Sequence, residues 1–146
     1  MLRLAVIGFG NELRRDDGAG PAVAREVAGW NRPGVRAVAV HQLVPELAEL
    51  IADAAAVVFA DAAGAEGPGG LAEIAPQADT AGLGHSLGPQ ALLAMAEALY
   101  GRRPRAWLAA VPGTDFGFGT ELSAAARDGS RRAVAQIAAL LETLPP

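Results

Sequence analysis

The feature that most constrains the fold is a short apolar run that leads directly into glycines and an acidic pair. The run from Leu2 to Ile7 is typical of a strand buried on both faces, as in a parallel sheet. Gly8 and Gly10 allow the backbone to turn sharply or to be approached closely. Asp16 and Asp17 follow at the carboxyl end of the strand, where open α/β sheets place their ligands.

Strand and helix patterns alternate along the rest of the chain, which indicates a three-layer α/β sheet that is parallel or mostly parallel. We find no repeat, linker or composition change, so residues 1–146 are expected to form one domain. The predicted strands are 2–7, 35–40, 55–60, a short edge strand at 71–74, and 104–111. Helices are predicted to begin at Gly20-Pro21, Pro45 and Pro89, the last of these with Leu92, Met95, Ala96 and Leu99 inward and Gly101 as its stop. A final helix carries Val134, Ile137, Leu140 and Leu141, with a possible break at Asp128-Gly129.

The amino-acid composition excludes several catalytic mechanisms and classes of binding partner. The chain has no cysteine, which excludes a thiolate nucleophile, a disulfide framework and cysteine-ligated zinc. All twelve basic residues are arginine, which excludes a P-loop lysine, a Schiff base and a Ser–Lys dyad. The net charge of −4, without a basic tract, argues against nucleic-acid or membrane-surface binding. With no signal peptide and no apolar run of transmembrane length, we expect a cytoplasmic protein.

Two familiar motifs fail in their context. Gly8-Phe9-Gly10 begins like a dinucleotide-binding loop, but Leu13 stands at the third glycine position and an acidic loop would repel a pyrophosphate. Gly84-His85-Ser86-Leu87-Gly88 matches the serine-hydrolase pattern, but no strand is predicted before it. Both histidines precede Ser86, whereas that fold needs a later one.

A set of three side chains remains: Asp17 after the first strand, Asp61 after the third, and His85 in a long loop before a helix. Loops at one edge of a parallel sheet can bring such side chains together. Two carboxylates and an imidazole suit a divalent ion such as nickel, zinc or manganese, with positions open for water or substrate. Each residue also has a structural alternative: Asp17 as a helix cap, Asp61 as a turn cap, and His85 as an exposed loop histidine.

The motif from Gly8 to Gly20, G-x-G-N-x-L-x-x-D-D-G-x-G, resembles the signature of the hydrogenase maturation proteases. The similarity continues through residues 41–48, 57–62, the His85 segment and 115–119. It therefore extends over nearly the whole chain. The chain departs from some members of the family at His41-Gln42, where they carry a glycine-rich turn.

This resemblance implies a three-layer α/β/α sandwich, phosphorylase/hydrolase-like, and an aspartic-type endopeptidase. Such enzymes remove a C-terminal extension from the large-subunit precursor of a nickel–iron hydrogenase, after nickel insertion. By motif position, Asp17, Asp61 and His85 become the catalytic and metal-contacting residues. Gly10, Asn11, His41 and Gln42 are expected in the substrate cleft, although a simple strand-end histidine remains an alternative for His41. The implied metal is nickel supplied by the substrate, with no organic cofactor, and the protein is expected to be a monomer.

Two other functions stay open at this point. A non-catalytic module that recognises a metal-loaded partner would need the same carboxylates and histidine without turnover. A nucleotide-binding α/β protein would use the glycines of the first loop instead.

Overall fold

The fold is described from a computed structural model covering residues 1–63, 69–78 and 87–146. Its strands are β1 (Leu4–Phe9), β2 (Val35–Val40), β3 (Ala56–Ala63), β4 (Gly70–Ile74) and β5 (Arg105–Pro112). Its α-helices are α1 (Ala19–Ala28), α2 (Leu47–Ala52), α3 (Pro89–Tyr100) and α4 (Ala124–Thr143), and a 3-10 helix at Arg15–Gly18 precedes α1. None of these helices is long and apolar enough to cross a membrane.

The strands form one sheet in the order β2-β1-β3-β5-β4. β1, β2, β3 and β5 are mutually parallel, and β4 pairs antiparallel to β5 at one edge. The chain moves outward from β1 to β2 and then returns to place β3 on the other side of β1. The strand order therefore reverses between β1 and β3, the position where α/β sheets open a crevice for ligands.

Apolar side chains cover both faces of the sheet, which confirms the predicted three-layer sandwich. On one face, Val23 and Val27 of α1 and Ile137 and Leu141 of α4 are fully buried in one core cluster. On the other face, Ile51 of α2 joins a second cluster that includes Leu92 and Leu93 of α3. Because β1 and β3 contribute alternate residues to both clusters, they lie in the centre of the molecule.

Glycines set how closely α1 approaches the sheet. A Cβ added to Gly8 would lie 2.0 Å from the carbonyl oxygen of Gly20. A Cβ added to Gly20 would lie 2.3 Å from the Ala60 oxygen and 2.6 Å from that of Phe9. The start of α1 therefore fits between the ends of β1 and β3 only because neither glycine has a side chain.

Two predicted strands differ from the structure by two or more residues at an end, and two others by a single residue. β1 begins at Leu4 and continues to Phe9, while Leu2 makes only an isolated bridge to Ala54. β3 does not end before Asp61, as predicted, but continues to Ala63. It extends because its pairing with β5 outlasts its pairing with β1, which stops at Ala60. Asp61 therefore lies within the strand rather than after it.

Two helix predictions were wrong. α4 is continuous through Asp128-Gly129. The glycine there serves packing rather than a break, because its missing side chain lets the helix lie close to the end of β5. A Cβ there would lie 3.0 Å from Pro112 Cδ and 3.1 Å from Val111 Cγ1. Leu99, predicted to point inward, is 64% exposed in the last turn of α3. That helix does begin at Pro89, and Gly101 does stop it after Tyr100, with a φ of +67° that favours glycine.

The close approach of α1 makes a specific prediction about stability. The substitution Gly20→Ala should lower the free energy of unfolding by about 3 kcal/mol or more, since its Cβ would overlap two backbone carbonyls. Gly29→Ala, at the other end of the same helix, is the matched control. Gly29 has a helical φ of −66°, and its nearest new contact would be 3.3 Å. Urea denaturation of the two variants measures the difference, and equal stability would contradict this account of the packing.

Candidate functional site

The candidate site lies where β1 and β3 end beside the reversal of strand order. Asp17 belongs to the 3-10 helix after β1, and Asp61 is the first residue of β3 beyond its pairing with β1. Both side chains are half-buried. The negative charge of Asp17 repels that of Asp61, so the fold places these two predicted residues close enough to interact electrostatically.

The carboxylate of Asp17 is held by the loop that follows β1. Its Oδ2 accepts a hydrogen bond of 2.6 Å from the backbone N–H of Asn11. The Asn11 side chain accepts in turn from the Leu13 N–H at 3.0 Å, so Asn11 does fix this loop. Gly10 has a φ of +148°, and a Cβ there would lie 2.0 Å from the Asp17 carbonyl oxygen. Asp17 does not cap α1, since the capping position belongs to Gly18 and has no side-chain hydrogen bond.

Asp61 has a strongly perturbed acidity. Burial, and secondly the charge of Asp17, raise the pKa of Asp61 from its ordinary 3.8 to about 6, against the hydrogen bond from the Ala62 N–H. A carboxyl group with this pKa changes its proton occupancy near neutral pH. Such a group is suited to accept and return a proton during a reaction.

The pKa of the neighbouring Asp16 is shifted in the opposite direction, and the structural role of this residue was not predicted from the sequence. It is fully buried, and its Oδ1 accepts a hydrogen bond of 2.7 Å from the Ser123 N–H. Its Oδ2 accepts from the Ser123 hydroxyl at 2.7 Å and from the N–H groups of Thr114 and Asp115 at 2.8 and 3.0 Å. Burial acts to raise the pKa of Asp16, but these donors outweigh it and lower the pKa to about 2. Asp16 is therefore a structural anchor that stays ionised at neutral and mildly acidic pH.

A second set of contacts joins the same two loops. The Arg15 N–H donates to the Gly119 oxygen at 3.0 Å, and the Gly119 N–H donates to the Leu13 oxygen at 2.9 Å. The Arg15 guanidinium lies 2.7 Å from Asp115 Oδ2. The Asp115 carboxylate also accepts from the Gly117 N–H at 3.0 Å, an interaction within one turn of the loop. The loop after β1 and the loop after β5 therefore form one bonded unit beside Asp17.

The remaining predicted site residues divide into two groups. His85 lies outside the described residues, so its predicted place beside the two carboxylates stays a prediction. His41 and Gln42 are exposed immediately after β2, as a strand-end histidine would be. Across residues 1–63, 69–78 and 87–146, no three histidine, aspartate or glutamate side chains lie together as a metal site requires. His41 therefore does not complete a ligand set with Asp17 and Asp61.

Several solved structures have the same fold. HycI, a NiFe hydrogenase maturation protease from Thermococcus kodakarensis, is 22% identical over 97% of this chain and 93% of its own, with a TM-score of 0.75. HybD from the same organism is 24% identical over 96% and 99%, with a TM-score of 0.73. The hydrogenase maturating endopeptidase HybD from Escherichia coli is 20% identical over 97% and 93%, with a TM-score of 0.75.

These similarities establish the fold. The chain has the fold of the hydrogenase maturation proteases over nearly its whole length, as the resemblance of its motifs implied. No protein-family model matches the sequence, and no curated protein matches it either. The identities of 20–24% to these three structures mean that activity has to be argued from the site itself.

The raised pKa of Asp61 predicts how stability changes with pH. The folded protein binds a proton at Asp61 below about pH 6, whereas the unfolded chain does so only near 3.8. Lowering the pH through this window therefore removes a cost of burying charge and stabilises the native state. Asp61→Asn should be more stable than the wild type at pH 7, and this advantage should shrink toward pH 4. Denaturation of both proteins across this range tests it, and a constant difference would contradict it.

The lowered pKa of Asp16 predicts that stability depends on pH with the opposite sign. Asp16→Asn replaces one acceptor oxygen with an amide that faces N–H donors, at a loss of about 3 kcal/mol at pH 7. Because the pKa of Asp16 is lowered, the wild-type advantage is present above about pH 4 and is lost as the pH falls toward 2. Asp128→Asn, at an exposed ion pair with Arg131, should change stability little. Thermal unfolding measures all three proteins, and equal melting temperatures for the two variants would refute the anchoring role of Asp16.

Proposed function

We propose that this protein is an endopeptidase that removes the C-terminal extension from the large-subunit precursor of a nickel–iron hydrogenase. The one observation that carries the proposal is the pair of half-buried carboxylates, Asp17 and Asp61, at the carboxyl edge of the sheet. Burial, together with the charge of Asp17, raises the pKa of Asp61 to about 6. The fold shared with HycI and HybD, which are named as hydrogenase maturation enzymes, adds independent support.

Nickel enters this proposal as part of the substrate. Two neighbouring carboxylates attract a divalent cation, and a bound cation would relieve the repulsion between them. We propose that nickel in the precursor is recognised by Asp17, Asp61 and His85, which brings the scissile peptide bond to the carboxylate pair. The free protein would hold no organic cofactor.

Hydrolysis then needs only water and the chain's own carboxylates. Water donates a proton to the ionised Asp61 and its oxygen forms a bond to the peptide carbonyl carbon. The C–N bond breaks, and the proton leaves Asp61 for the departing amine. Asp17 would remain negatively charged throughout and orient the bound metal or water. No nucleophilic side chain is required, in agreement with the absence of cysteine from the sequence.

The proposed substrate also implies where the enzyme works and what it binds. A precursor that receives nickel inside the cell would be processed by a cytoplasmic enzyme acting as a monomer on a folded protein partner. Gly10, Asn11, His41 and Gln42 would border the cleft that takes the extended tail.

The principal alternative is a module that binds the nickel-loaded precursor without cutting it. The shared fold supports the enzyme, because HycI and the two HybD proteins are named as maturation proteases or as a maturating endopeptidase. Incubation with nickel-loaded precursor separates the two functions. A shortened large subunit indicates a protease, while a stable complex of unchanged mass indicates a module.

Substitution of the carboxylates provides the decisive test. Asp17→Asn and Asp61→Asn should each lower kcat/KM for the nickel-loaded precursor by at least about a hundredfold, since each removes a charge that the reaction uses. His85→Ala should lower it as well. Cleavage is followed by electrophoresis and by the mass of the released peptide.

Asp53→Asn is the matched control, because Asp53 is an exposed carboxylate at the end of α2. This variant should cleave at the wild-type rate. Processing of the precursor by all three site variants at that same rate would rule out the assignment of the site.

A further inference from the structure

Large apolar side chains exposed to solvent form two groups in the described structure. Met1, Leu99 and Tyr100 belong to the amino-end side of the sheet, where α3 leads into β5. Leu13, Phe116 and Phe118 belong to the two joined loops at the carboxyl edge, beside Asp17. We call the second group the loop patch. Leu13 is 65% exposed and Phe118 is 88% exposed, the highest exposure among these six residues.

The loop patch is held in place rather than hanging from a free loop. The backbones of Leu13 and Arg15 are hydrogen-bonded to Gly119, next to Phe118. The Arg14 Nε donates to the Phe116 oxygen at 3.1 Å, and the Arg14 guanidinium lies 5.4 Å from the centre of the Phe118 ring. A fixed backbone and a stacked guanidinium reduce the conformational entropy that a docking partner would have to remove.

The patch is continuous with the candidate site. The Asp17 N–H donates to the Arg14 oxygen at 3.1 Å, so the patch and the carboxylate belong to the same short turn. A protein that brings a bound metal to Asp17 therefore approaches the turn that carries Leu13 and the neighbouring loop that carries Phe118. Aromatic residues and arginine are also the residue types that contribute most to protein–protein binding energy.

We propose that the loop patch is the docking surface for the folded body of the precursor, separate from the cleft that takes its tail. This inference rests on the proposed function. The occupant is a protein with an apolar surface around its metal site, which would cover Leu13 and Phe118 while its metal meets the carboxylates. In this arrangement the loop patch binds the precursor, and the carboxylate pair carries out the hydrolysis.

The double variant Leu13→Ser/Phe118→Ser tests this division. It should raise KM for the nickel-loaded precursor by about tenfold or more, since two exposed apolar anchors are lost. The value of kcat should be unchanged, because these contacts are made equally in the ground and transition states. Both side chains are mostly exposed, so thermal unfolding should match that of the wild type.

Leu99→Ser/Tyr100→Ser is the matched control. These residues are 64% and 49% exposed at the far side of the sheet, and their replacement should leave both KM and kcat as in the wild type. A second measurement is independent of cleavage. Binding of nickel-free precursor, followed by fluorescence anisotropy, should weaken by about tenfold in the loop-patch variant only.

The outcomes separate the two proposals. Cleavage by the wild type together with an unchanged KM and an unchanged affinity in the loop-patch variant would overturn the docking surface and leave the proposed function intact. Binding through the patch without any cleavage by the wild type would overturn the proposed function and leave the docking surface. Sedimentation of the wild type and of the loop-patch variant tests whether a second copy of this chain, rather than the precursor, covers the patch. A wild-type dimer that the loop-patch variant abolishes, with KM unchanged, would also overturn the proposal.

Discussion

The carboxyl edge of this sheet depends on one buried carboxylate. Asp16 accepts hydrogen bonds from Ser123, Thr114 and Asp115, and so ties the 3-10 helix after β1 to the loop after β5 and to the start of α4. A buried charge without donors would be strongly destabilising, whereas one that accepts several N–H groups is held in a single geometry. Asp17 follows Asp16 directly in the chain, and its position is fixed through that neighbour. Asp17 is therefore placed by a residue that takes no part in the proposed chemistry.

Three carboxylates within this small region have different environments. Asp16 has enough donors to remain ionised in acid, while burial and the charge of Asp17 keep Asp61 partly protonated near neutral pH. Neighbouring groups whose acidities are driven apart are a common arrangement where proton transfer occurs. The fold produces this separation from identical side chains, because several hydrogen-bond donors reach Asp16 while burial and a neighbouring charge act on Asp61.

Much of this organisation was predictable from local patterns. Residues 35–40 form β2 as predicted, α3 begins at Pro89 and is stopped by Gly101, and the short strand near residues 71–74 is at the sheet edge. The role of Asp16 was not predictable, because its partners lie 98 to 107 residues later and no short-range signal marks them. Gly129 was misread as a break for a similar reason: it serves contact with Val111 and Pro112 rather than any local turn. The extension of β3 past Asp61 also depends on a neighbour, β5, rather than on its own sequence.

The long separation between Asp16 and Ser123 has a consequence for how the molecule opens. Ser123 caps α4 by accepting from the Ala126 N–H, and the same hydroxyl donates to Asp16. The first turn of α4 cannot leave the sheet without removing donors from a buried charge near the other end of the chain. The amides of that turn should then exchange with solvent only in openings that also disorder the loop after β1. The two ends of the sequence thus belong to one cooperative unit, and the carboxyl edge lies within it.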